Sequence, residues 1–150
     1  MTVRHLGSEV LKLAHAKLKP LGFSKNGQTF SRNRHEYVER FLILGSQWNS
    51  GDEPWLFSVE VGVFFPDVPP LAGAKGFWKH CHAVGNAVRL VHESAHGFEV
   101  RSTNIEAIAA DVVATIESAS DALPALLGPV KPRAMKQLIS PLPVPNNWSV

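Results

Sequence analysis

The chain carries a single cysteine, Cys81, so no disulfide can close within it and a reducing compartment suits it. Long apolar runs are missing too. Phe41-Leu42-Ile43-Leu44 is among the longest, far below the ~20 residues that cross a bilayer. The opening residues, Met1-Thr2-Val3-Arg4-His5, lead into a segment broken by Glu9, Lys12 and Lys17, without the apolar stretch of a secretory leader. No Gly-rich phosphate loop and no serine nucleophile elbow is present. With 45% apolar and 19% charged residues, wholesale disorder is excluded as well. The expectation is a soluble, cytoplasmic, folded protein.

What is present fits one domain, since 150 residues suffice for a single sizeable core. The net charge of +2 is unevenly laid out. Residues 1–40 hold eight basic groups against three acids, residues 41–128 hold four against ten, and Lys131, Arg133 and Lys136 follow. A basic N-terminal third can face nucleic acid, but solvated charge on helix and hairpin surfaces accounts for it equally well. A nucleic-acid or membrane partner is therefore not expected.

Residues 8–19 predict a helix, with Val10, Leu11, Ala14 and Leu18 on one stripe and Pro20 as its stop. Residues 23–32 read as extended, with Asn26-Gly27 as a tight turn or bulge. Residues 37–46 form a second strand after the polar Arg32-Asn33-Arg34-His35 connection. Along residues 55–65, Trp55, Phe57, Val59, Val61 and Val63 alternate with Leu56, Ser58, Glu60, Gly62 and Phe64, the period of two that turns one set inward. Thr103-Asn104-Ile105-Glu106 has the form of a capping box, and apolar residues follow at helical spacing to Leu123. Pro124 kinks or ends that helix and Gly128-Pro129 stops it. The organisation expected is a domain over residues 1–130 and an extended, proline-rich tail over 131–150.

The run from Leu18-Lys19-Pro20-Leu21-Gly22-Phe23 through Lys25-Asn26-Gly27-Gln28-Thr29-Phe30 resembles the opening of an uncharacterised, mainly bacterial family, domain of unknown function 4304. Phe57-Ser58-Val59-Glu60-Val61-Gly62-Val63-Phe64 is similar to that family's Gly-interrupted apolar strand. Phe98-Glu99-Val100 stands where the family often has an aromatic strand, though without the paired Trp expected there. The resemblance spans residues 8–127. It implies an α+β fold: an N-terminal helix, an antiparallel meander of about five strands, and a long helix packed on one sheet face. It also implies a fourth strand over residues 84–92 and a fifth over 97–101, joined by a short turn. It implies no chemistry.

One motif does ask for chemistry. His92-Glu93-Ser94-Ala95-His96 has the His-Glu-x-x-His spacing of zinc peptidases, in which two imidazoles one helical turn apart bind zinc and the glutamate acts as general base. Glu117, in Glu117-Ser118-Ala119-Ser120-Asp121, would be the third ligand. Against this, Gly97 favours a stop, Val88, Leu90 and His92 alternate as in a strand, and the family resemblance implies a hairpin turn over His92–His96, which is the favoured reading. His80-Cys81-His82 offers a second arrangement, with both imidazoles on one strand face and the thiol buried on the other. Neither set is taken as a metal site, and no cofactor is expected. Trp48, Trp55, Phe77 and Trp78 cluster near the strand ends; those exposed together would form an interaction patch. A non-enzymatic module with a protein partner is thus the leading expectation, with a zinc-dependent hydrolase using His92, Glu93, His96 and Glu117 as the alternative.

Overall fold

The computed structural model describes residues 2–47, 49–93 and 96–145. Helix α1, Val3–Leu18, starts earlier than the apolar stripe predicted, because Thr2 caps it through an Oγ1 that accepts the His5 N–H. Gly7 lies within this helix against the Trp55 indole, at a distance where a Cβ would just touch the ring. Leu6, Val10, Ala14 and Leu18 are buried. Pro20 and Gly22, at φ 98°, turn the chain out of the helix.

Strands β1 (Ser24–Asn26) and β2 (Thr29–Asn33) form the hairpin that Asn26-Gly27 signalled, with Gly27 at φ 60°. β3 (Val38–Gly45) and β4 (Trp55–Phe64) pair along the whole length of β3. The intervening loop is closed by Asn49, whose side-chain amide bonds both the N–H and the carbonyl of Leu56 at 2.8 Å.

The other edge of β4 corrects the expected meander. The strand anticipated over residues 84–92 is confined to β5, Ala83–Asn86. Asn86 Oδ1 then accepts the N–H groups of Val88 and Arg89 and starts a 3-10 turn at Val88–Leu90, which takes the chain off the sheet. β6, Phe98–Val100, therefore does not pair with β5. The two lie end to end on one edge of β4, β5 against Glu60–Val63 and β6 against Trp55–Phe57.

Helix α2, Ile105–Leu126, is the long C-terminal helix expected, but the capping box does not form. Asn104 is the N-cap residue, and its Oδ1 turns back to accept the Arg101 N–H at 2.7 Å. Pro124 is held within the last turn. The tail is not extended at its start: α3, Val130–Met135, follows, with Pro132 in its first turn, where no intrahelical donor is lost. β7, Ser140–Pro141, then runs parallel to β5 and seats Leu142 over Gly85. The fold is α+β, a mostly antiparallel open sheet with α2 packed on one face. Val59, Val61 and Val63 of β4 and Phe41 and Ile43 of β3 meet Val112, Ile116 and Leu123 of α2 in one core. Among the described residues no helix is long and apolar enough to cross a membrane.

Candidate functional site

Because the helices occupy one face of the sheet, the opposite face decides what the protein can touch. Directly opposed residues of an antiparallel pair point to the same side. The pairs Leu42–Glu60, Leu44–Ser58, Glu60–Asn86 and Leu56–Glu99 therefore map that outer face. One half of it is covered by the connection between β4 and β5, residues 65–82. Cys81 and Phe77 lie directly over Gly62, and Arg40 Nε donates to the His80 carbonyl at 3.0 Å. His82 locks this cover. Its Nδ1 accepts the Phe65 N–H at 2.9 Å, so the ring proton is on Nε2, which donates to the Pro69 carbonyl at 2.9 Å. The ring is buried and stacks on Phe64.

The other half is open. Leu44 and Leu56 are 46% and 36% exposed, and Leu42, Ser58 and Glu60 are half-buried beside them. Leu44, Leu56, Ser58 and Glu99 line a shallow groove of about 760 Å³. Burial raises the Glu60 carboxyl above its ordinary range, and a hydrogen bond from Ser58 partly offsets that.

The inner face holds a buried ion cluster. Glu39 is fully buried at an apolar position of β3. Arg32 Nε donates to Glu39 Oε1 at 2.8 Å, Arg34 Nη1 lies 3.9 Å away, and the Ser120 hydroxyl of α2 is 2.7 Å from Oε2. Arg32 also donates to Ser120 and to the Leu21 carbonyl, and lies 4.3 Å over the Phe23 ring. Two cations of the basic N-terminal third are thus directed inward. Nearby, Tyr37 is 6% exposed and its hydroxyl has no hydrogen-bond partner among the described residues. Burial, with Glu39 adding to it, raises its pKa. Tyr37→Phe removes a buried, unsatisfied group, so we expect thermal melts to show stability unchanged or raised by about 1 kcal/mol. A clear loss of stability would mean that the hydroxyl is satisfied.

The residues singled out from the sequence are scattered among these features. His92 and Glu93 lie in bends after the Val88–Leu90 turn, and the His92 N–H donates to the Val88 carbonyl at 2.8 Å. Ser94 and Ala95 lie outside the described residues. The His92 and His96 rings are 5.6 Å apart, over a shallow groove flanked by Asp111 and Thr115 of α2. Glu117 does not line that groove; it falls roughly 120° around the helix from Asp111. Among the described residues no group of three His, Cys, Asp or Glu side chains is placed to hold a metal ion.

His80 ends a 3-10 helix, Gly76–His80, instead of sharing a strand with His82. Cys81 is buried, as expected, and its pKa is pushed up to about 12 by desolvation. Of the aromatic patch, Trp48 lies outside the described residues. Trp55 turns into the core and stacks on Phe57 at 4.5 Å. Phe77 and Trp78 remain half-buried on the cover. Leu44, Leu56 and Glu60 were not singled out, although the alternation along residues 55–65 already put Leu56 and Glu60 on the face away from the core.

Fold and surface together define a small α+β protein with its helices on one sheet face and half of the other face uncovered. A family model described as Domain of unknown function (DUF4304) matches residues 14–126. The chain belongs to that family. No curated protein and no solved structure matches it.

Proposed function

We propose that the protein is a binding module that docks a protein partner on the open half of its outer sheet face. The observation carrying this reading is the exposure of Leu44 and Leu56 on two paired central strands, beside half-buried Leu42. Apolar side chains grouped on a regular, rigid sheet suit recognition of another surface. The placement of Glu117 away from His92 and His96 weighs against the hydrolase reading.

The test is comparative capture with the full chain carrying an affinity tag. A partner retained by the parent should be lost by Leu44→Asp/Leu56→Asp and kept by Lys25→Glu, which alters charge on the distant β1 edge. Burying two leucines contributes about 1.5–3 kcal/mol each, so the double variant should bind at least about a hundredfold more weakly. Its melting temperature should stay near the parent's, since both side chains are already exposed. Identical capture by parent and double variant would remove the outer face from consideration.

A further inference from the structure

The open half-face carries a half-buried charge with no counter-charge. Glu60 lies between Leu42 on β3 and Asn86 on β5, and it forms no ion pair among the described residues. Arg40, on the same face of β3, is committed elsewhere: Nε to the His80 carbonyl and Nη1 to Ser31 Oγ at 3.2 Å. Asn86, anchored through Oδ1 by two backbone N–H groups, is a neutral amide and brings no counter-charge. A purely apolar partner laid over the three leucines would seal Glu60 away from water unpaired, which strongly disfavours such a complex.

Building on the binding-module reading, we infer that the partner protein presents a lysine or arginine to Glu60, with the aliphatic stem lying against Leu42 and neighbouring apolar side chains of the partner covering Leu44 and Leu56. Such a side chain matches both parts of the surface, since its stem covers apolar area while its head makes a charge-assisted hydrogen bond. A second copy of this chain is a poorer occupant. Face-to-face pairing about a two-fold axis would offer Glu60 only the same surface, whose cations Arg40 and Arg101 are already engaged by the His80 carbonyl and Ser31 and by Glu99.

The probes are three end-blocked hexapeptides that share their leucines and differ only in a central lysine, glutamine or glutamate. They are titrated into full-length protein carrying 13C-labelled leucine methyls. The lysine peptide should shift the methyls of Leu42, Leu44 and Leu56 and bind about tenfold tighter than the glutamine peptide, with the glutamate peptide weakest. Glu60→Gln should bring the lysine peptide down to the glutamine level, and Glu60→Lys should reverse the order. Methyl signals from the core report whether each variant is folded. Equal binding of the lysine and glutamine peptides would overturn the cation inference while leaving the binding face intact. If no peptide moves any of the three leucines, both readings fall. Self-association of the free chain in sedimentation, abolished by Leu44→Asp, would assign the face to a second copy and overturn the proposal.

Discussion

Arg32→Ala is expected to destabilise the protein by about 3–5 kcal/mol, because it leaves a fully buried carboxylate without its close cation. Glu39 has no access to water. With Arg32 gone, the nearest guanidinium is that of Arg34, at 3.9 Å, and only the Ser120 hydroxyl stays in direct contact. Glu39→Ala should cost a similar amount for the opposite reason. It strands Arg32 beside Ser120 and Phe23 and opens a cavity between β3 and α2. Replacing both partners, Arg32→Met/Glu39→Met, should recover most of the loss, since apolar side chains of similar length need no counter-charge. Urea unfolding followed by tryptophan fluorescence measures all three variants. A double variant as unstable as the sum of the singles would mean that the two residues contribute independently, and that neither the ion pair nor an orphaned charge accounts for the losses.

This cluster also marks where the sequence was legible and where it was not. The inward set of β4 was readable because Trp55, Phe57, Val59, Val61 and Val63 keep strict alternation, and the stripe of α2 because its apolar residues recur at helical spacing. The same alternation applied to β3 places Glu39 in the core between Tyr37 and Phe41. On charge count alone it reads as one more surface acid, since its partners come from β2 and from α2, 81 residues away. Residues 84–92 were misread for a related reason. Val84, Val88 and Leu90 have strand-like character, yet the side chain of Asn86 captures the next two amides and ends the strand, a local bond that periodicity does not register. The open face was half legible: alternation separated Leu56 and Glu60 from the core set, but only the path of residues 65–82 decides which half of that face is covered. His92 and His96 do come close, but from a bend, with Asp111 and not Glu117 at the same groove.

The cover over the other half of the face supplies the second large effect. Gly62 lies in mid-strand on β4, a position where glycine ordinarily weakens a sheet, and its φ is not in the left-handed region. The requirement is space. A Cβ there would collide with Cys81 Sγ and come within 3.1 Å of the Phe77 ring. Gly62→Ala should therefore lift residues 77–81 from the sheet at a cost of about 1–3 kcal/mol. The readout is the thiol: Cys81 is buried with its pKa pushed up to about 12, so in the parent it should react only slowly with iodoacetamide at pH 8. Val112→Ala, a cavity in the core beneath the opposite face, provides a control of comparable cost. In that variant Cys81 should become reactive only as far as the whole domain unfolds. At matched stability Gly62→Ala should react severalfold faster, because a local opening suffices. Equal rates would mean that the cover and the sheet open as one unit. The boundary between the covered and open halves of the face would then follow from global stability and not from the contact of Cys81 with Gly62.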